Sequence, residues 1–273
     1  MARSGNISNQ PAVFREARKS FHAALLKGGV LCITGREIPK KGIPNQFPSN
    51  ADGDSATSVA IAQSIFDQIQ ERAKSRSCLA RGTSGDKFEQ ITRSFMETSF
   101  SRLKTLSWRK RDLKAQDAEI AVLPGDVIAP DVFVVREREP DEVIDRKQLL
   151  VNERGALCSG VRKRQNKLRI VHASISCKWT LGSDRSEALS LIRSGNGGVP
   201  YAAVVTGEPL PSRLASLALG SGDIDCVYHF ALPELLSSVK RRRIEDSVFL
   251  MKMMVEGERL KDITDLPLDL AVR

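Results

Sequence analysis

Residues 170–180 read IVHASISCKWT, and the order of side chains in this run decides how the chain is built. Alternation at a period of two predicts a β-strand. Ile170, Ala173 or Cys177, Ile175 and Trp179 mark an apolar face. His172, Ser174, Ser176, Lys178 and Thr180 fall on the other. A lysine in the middle of such a strand, sharing a face with two serines, needs a reason. Working outward, Pro130-Asp131 opens a second strand-like run, Val132 to Val135, and residues 162–169 (RKRQNKLR) hold five basic groups. Downstream, a short helix at 186–194, a tight loop at 195–198 (GNGG), a strand at 202–206 and a helix at 211–220 with Pro211 in its first turn follow. A strand at 224–230 leads to a largely helical stretch at 232–256, interrupted by Lys240-Arg241-Arg242-Arg243. Before residue 118 the pattern is mostly helical: 12–27, closed by Gly28-Gly29; 56–73, with Ile61, Ile65 and Ile69 four apart; and 85–107. Residues 35–55, rich in Pro, Gly, Asn and Asp, read as a long loop or mobile arm, and 108–114 (WRKRDLK) as a solvated turn. The expectation is an α/β core with helical additions.

Composition narrows the function. The 273 residues carry 42 Lys+Arg against 33 Asp+Glu, a net charge of +9, with 41% hydrophobic residues, enough for a sizeable core. The excess sits in residues 1–50 and 151–200, each +6, while the remainder sums to slightly negative. Two local excesses suggest a surface that meets a polyanion, with nucleic acid the first candidate. No apolar run approaches the length of a membrane span, and the N-terminus MARSGNISNQ lacks the apolar core of a secretory signal, so a cytoplasmic protein with no membrane partner is expected. Five cysteines (Cys32, Cys78, Cys158, Cys177, Cys226) without a CxxC fit free thiols, and His22, His172 and His229 lie too far apart in sequence to suggest a metal cluster. The GNGG loop lacks the Lys-Ser/Thr of a phosphate-binding P-loop.

Asp131 opening one strand and Lys178 on the polar face of another suit phosphodiester hydrolysis. That reaction needs an activated water, neutralisation of charge at phosphorus and a stabilised leaving oxygen. Mg²⁺ held by carboxylates supplies much of this. A lysine nearby orients the water and offsets phosphate charge. Singly, a Pro-Asp pair is a turn and a strand lysine an edge residue. Together, on neighbouring strands, they point to a nuclease, and the 46 residues between Asp131 and Lys178 bear on the resemblance that follows.

Pro130-Asp131 followed by Ser176-Cys177-Lys178 resembles the PD-(D/E)xK nuclease superfamily, with Ser176 in the usual second-acid position. More narrowly, SISCKWT, SEALSLIR and DIDCVYHFALPEL resemble the NgoMIV-like type II restriction endonucleases, a CCGG-core group including SgrAI, over roughly residues 118–236. The resemblance implies a central mixed β-sheet flanked by helices (the restriction-endonuclease-like core) with a helical N-terminal part. The whole chain, 1–273, forms one such domain: an N-terminal arm at 1–55, a catalytic core at 118–236 and a C-terminal helical tail at 237–273. It also implies that Glu187 replaces the missing carboxylate. Asp131 and Glu187 then bind Mg²⁺ with the Cys177 carbonyl, Lys178 orients water, and Ser176 supports the site. The segment GTSGDKFE (82–89) resembles one leading into a helix with an active-site glutamate; Glu89 is the choice and Glu97 the alternative, although an acid there also suits a helix N-terminus.

Where the family reads guanine and cytosine with Arg-Ser-Asp-Arg, this chain has Gly182-Ser183-Asp184-Arg185, and its Lys178-to-Glu187 interval is shorter. Ser183, Asp184 and Arg185 keep part of that DNA-reading role, or Arg185 aligns beyond a deletion. A palindromic double-stranded DNA site implies a homodimer, with a homotetramer also found among relatives, and a cognate DNA methyltransferase protecting a bacterial host. Two rivals stand beside this reading: a repair or mobile-element nuclease of low specificity, and a DNA-binding protein whose active site has decayed. The basic runs at 162–169 and 240–243 are read as phosphate contacts or solvated faces.

Overall fold

The computed structural model describes residues 12–73, 84–105, 113–116, 120–123, 126–128, 131–157, 159–163, 169–181, 201–220 and 224–272. In chain order these give α1 (Ala12–Lys27), β1 (Ile33–Gly35), β2 (Gln46–Pro48), α2 (Ala56–Ala73), α3 (Ser84–Thr105), β3 (Leu113–Gln116), β4 (Ile120–Leu123), β5 (Asp126–Ile128) and β6 (Val132–Arg136). Then come α4 (Asp141–Ile144), β7 (Ile170–Lys178), β8 (Tyr201–Thr206), α5 (Pro211–Ala218), β9 (Cys226–His229), α6 (Leu232–Arg242), α7 (Glu245–Glu256), β10 (Leu260–Asp262) and α8 (Leu266–Val272).

A six-stranded mixed sheet in the order β10-β9-β8-β7-β6-β3 organises the molecule. β7 to β10 run parallel, and β6 and β3 are antiparallel to their neighbours. Every residue of β8, YAAVVT, is buried, as expected of a parallel strand covered on both faces. The helices form where the apolar spacing demands. Ala17, Phe21 and Leu25 of α1, Ile61, Ile65 and Ile69 of α2, and Phe88, Phe95 and Met96 of α3 are all buried in one continuous core. α1 stops where Gly28 donates back to the Ala24 carbonyl at 2.7 Å. Among the described residues no helix is long and apolar enough to cross a membrane.

Several expectations are corrected. Residues 35–55 are not a free arm. β1 and β2 pair antiparallel, Asn50 is buried and donates from Nδ2 to the Gly207 carbonyl at 2.8 Å, and the Asp52 N–H donates to Ser58 Oγ at 2.8 Å. The Asn50 side chain is thus spent on a backbone partner 157 residues away. The solvated turn at 108–114 ends in structure: 108–112 lie outside the described residues, but Leu113 and Lys114 belong to edge strand β3, paired with Arg136 and Val135. Of the basic run at 162–169, residues 164–168 lie outside the described residues, and Arg162 does not face solvent. Arg162 is buried, paired with Asp141 through Nε at 2.9 Å and Nη2 at 2.5 Å, and donates from Nη1 to the carbonyls of Asn152 and Ala156. It staples the excursion between β6 and β7 instead of meeting phosphate. The tail from 237 onward is not only helical. Arg243 takes a left-handed conformation (φ 53°) that separates α6 from α7, and β10 then joins the sheet edge parallel to β9. The helix expected at 186–194 and the loop at 195–198 lie outside the described residues.

The alternation of β7 also breaks once. Val134 pairs with Ala173 and Val135 with Val171, so His172 is an extra residue without a partner on β6. Its ring turns to α8, with Nε2 2.8 Å from the Leu270 carbonyl oxygen. From Ala173 to Lys178 the two-residue period holds.

A buried charge cluster ties the ends of the chain together. Arg18 of α1 donates to Glu234 of α6 (Nη1 to Oε1, 3.0 Å) and to Asp262 of β10 (Nε to Oδ2, 3.3 Å), and Arg72 of α2 also pairs with Glu234. Asp262 further accepts from the N–H groups of Leu232 and Thr264 at 3.2 Å each. The Arg18 guanidinium holds the Glu234 carboxyl down at about 2 against the upward push of burial.

Candidate active site

Asp131 immediately precedes β6, whose first residue, Val132, pairs with Ile175. Antiparallel pairing therefore brings Asp131 alongside Ser176 and Cys177. Its Oδ2 accepts from Ser176 Oγ at 3.1 Å and from the Cys177 N–H at 2.5 Å. Two donors from β7 thus fix one carboxylate oxygen, a charge-assisted arrangement. Ser176 occupies the place of a second acid and acts as a donor to the first. The Cys177 side chain is buried, and burial followed by the charge of Asp131 pushes its thiol well above the ordinary range, so it is no soft thiolate ligand. Lys178 ends β7 and pairs in register with Thr206 of β8.

The fifth member comes from α3, which packs on β7. Phe88 is fully buried and meets the Trp179 ring edge-on, with centroids 5.0 Å apart. That contact sets the neighbouring Glu89, half-buried, beside Asp131 in side-chain hydrogen bonding. Burial, then the Asp131 charge, lift the Glu89 carboxyl to about 7, and Asp86 adds to the lift while Lys178 opposes it. Two carboxylates in contact cannot both ionise cheaply, so the protonated Glu89 donates to Asp131 near neutrality. Of the two upstream candidates Glu89 joins the site; Glu97, two turns on, is exposed. Asp131, Ser176, Cys177, Lys178 and Glu89 are thus brought together. Glu187, Ser183, Asp184 and Arg185 lie outside the described residues.

The histidines do other work. His22 Nε2 lies 2.8 Å from the Phe230 carbonyl oxygen, and His229 Nδ1 accepts from the Ala231 N–H at 3.1 Å. Sequence reading passed over a pair at the same end of the sheet. Arg213, in the first turn of α5, pairs with Asp52 and reaches 3.6 Å from Glu208, which follows β8 by two residues. A partner 161 residues away leaves no local signal. The Asp/Asn-rich 49–54 was the only hint.

The donor set fits a divalent cation. Among the described residues no three His, Cys, Asp or Glu side chains converge. The two carboxylates that do meet are hard oxygen donors with one proton between them, and a cation in its place relieves the same repulsion.

The model of the NgoMIV restriction enzyme family matches residues 21–120 and 108–272. The type II restriction enzyme NgoMIV of Neisseria gonorrhoeae is 37% identical over 293 residues, spanning 95% of this chain and 99% of that protein. A solved complex of the restriction endonuclease PspGI with substrate DNA aligns over 99% of this chain and 96% of its own at 14% identity, with a TM-score of 0.33. From the family match and the near-complete alignment, the chain belongs to the NgoMIV restriction enzyme family and is a type II restriction endonuclease.

Proposed function

We propose that the enzyme hydrolyses phosphodiester bonds of double-stranded DNA at a short palindrome with a CCGG core, with Mg²⁺ as the divalent cofactor. The carrying observation is the convergence of Asp131, fixed by Ser176 and Cys177, with Glu89 and Lys178. Asp131 and Glu187 hold the ion, with the Cys177 carbonyl as a further oxygen. When bound, Mg²⁺ acts as a Lewis acid at the scissile phosphate and raises the acidity of water. The chain's own groups do the rest. Ser176 and the Cys177 N–H keep Asp131 aimed by occupying one of its oxygens. Lys178 orients the attacking water and offsets charge at phosphorus. Glu89, its carboxyl held at about 7 by burial and the charge of Asp131, would lose its proton to solvent water when a cation replaces it beside Asp131. Ser183, Asp184 and Arg185 read bases, with arginine donating to guanine and aspartate accepting from cytosine. A homodimer cuts both strands, a homotetramer being the alternative assembly, and a cognate methyltransferase protects the DNA of a bacterial cytoplasm.

The test is digestion of DNA of known sequence with Mg²⁺, followed by sequencing of the ends. Discrete ends at one palindrome are expected. Smearing, or cleavage independent of divalent metal, overturns the proposal.

A further inference from the structure

The residue after Lys178 is held more tightly than a core tryptophan requires. The buried Trp179 ring lies against Phe88 (centroids 5.0 Å, planes at 61°) and against Phe230 (5.1 Å, 59°). Its Nε1–H donates to Ser49 Oγ at 3.2 Å. That hydroxyl donates in turn to the Val30 carbonyl at 2.5 Å and accepts from the Cys32 N–H at 3.3 Å. One donor and two acceptor positions are then filled, so the hydroxyl is saturated and has no freedom to turn. The Trp179 carbonyl accepts from the Gly207 N–H at 3.1 Å, and Gly207 is itself held by Asn50 Nδ2 at 2.8 Å. A Cβ on Gly207 would stand 2.7 Å from the ring, so only glycine lets β8 approach this closely.

We propose that Trp179, Ser49 and Asn50 are positioning residues that set the separation of Lys178 from Glu89. The inference rests on the reading of Lys178 and Glu89 as members of the site. Phe88 and Trp179 are the chain neighbours of Glu89 and Lys178, so their ring contact fixes how far apart α3 and the end of β7 carry those two groups. Ser49 fixes the tilt of the indole in its plane, and Asn50 with Gly207 fixes the backbone behind it. The segment 49–50 thus acts on the site through Trp179 and Gly207. Misplacement of a reacting group by about 1 Å costs up to about a hundredfold in rate.

The experiment compares S49A, W179F and S49T with wild type and K178A, each shown to be folded by thermal melting. Single-turnover cleavage of bound DNA is read beside DNA affinity without metal. S49A and W179F are expected to cut about tenfold or more slowly with affinity changed less than about twofold, and S49T, which keeps the hydroxyl, to recover most of the rate. In a W108F background, S49A is expected to shift the Trp179 emission. Folded S49A and W179F that cut at the wild-type rate while K178A is inactive would overturn the positioning role alone. Variants that lose affinity in step with rate also overturn it, since a merely structural defect does that. K178A cutting at the wild-type rate removes the underlying reading. Should S49A not fold, W179F decides by the same criteria.

Discussion

At Asp131 one oxygen is committed to Ser176 and Cys177, and Glu89 also stands beside it. The site is built around a single well-held carboxylate whose neighbours differ in kind: a hydroxyl, an amide, a carboxyl near 7 and an ammonium. Lys178→Ala removes the ammonium and is expected to lower single-turnover cleavage by about a hundredfold to a thousandfold while DNA binding survives, measured by rate and by gel shift. Glu89→Gln keeps an amide donor toward Asp131 but deletes the carboxylate that stands beside this ligand. The Mg²⁺ concentration for half-maximal cleavage is expected to rise about tenfold, read from a metal titration. Gly207→Ala forces a methyl into the Trp179 ring and is expected to lower the melting temperature by several degrees, on the order of 1–3 kcal/mol. Asp131, Ser176, Cys177 and Lys178 were legible because the chemistry sits in two short words on neighbouring strands. Glu89 was legible only as one of two acids on a helix, and the packing of Phe88 on Trp179 decides between them.

Secondary-structure elements meet through polar side chains that no local pattern announces. Arg18 lies on an amphipathic helix, and it is buried against Glu234 and Asp262, partners 216 and 244 residues away. Arg18→Leu leaves two carboxylates buried with one fewer counter-charge, and a loss of about 3–5 kcal/mol is expected in denaturant unfolding. His22 stands one helical turn on. Burial, with the charge of Arg18 adding to it, holds it down at about 4 from its ordinary 6.5. Below about 6.5 the unfolded chain therefore binds a proton that the folded chain refuses, and stability falls with pH until about 4. Asp265, lifted by burial to about 6, gives an opposite slope, so the comparison is with His22→Gln. Wild type is expected to lose, relative to that variant, on the order of 3 kcal/mol between pH 7 and pH 4. The same blindness explains Arg162. Its basic neighbours in sequence suggested phosphate, but its interior bonds to Asp141 and two carbonyls are set by a loop closing on itself.

Across the whole molecule, the strands at 132–136, 170–178, 201–206 and 226–229 follow from their apolar runs, and so does the α/β class. The ends of the sheet do not. β10 has 3 residues and β3 has 4, too short for periodicity to declare them, and both are defined by the neighbour they pair with. The consequence is that the central segment is not self-sufficient. A chain ending at Gly257 lacks β10, α8 and Asp262, and is expected to show no cooperative melt and rapid cleavage by trypsin. Because β10 and a counter-charge for Arg18 come from residues 260–262, the ribosome must deliver residue 262 before the sheet that carries β7 is closed. A copy that stops short of residue 262 is thus expected to leave its candidate site unassembled, and β10 acts as a safety catch on cutting.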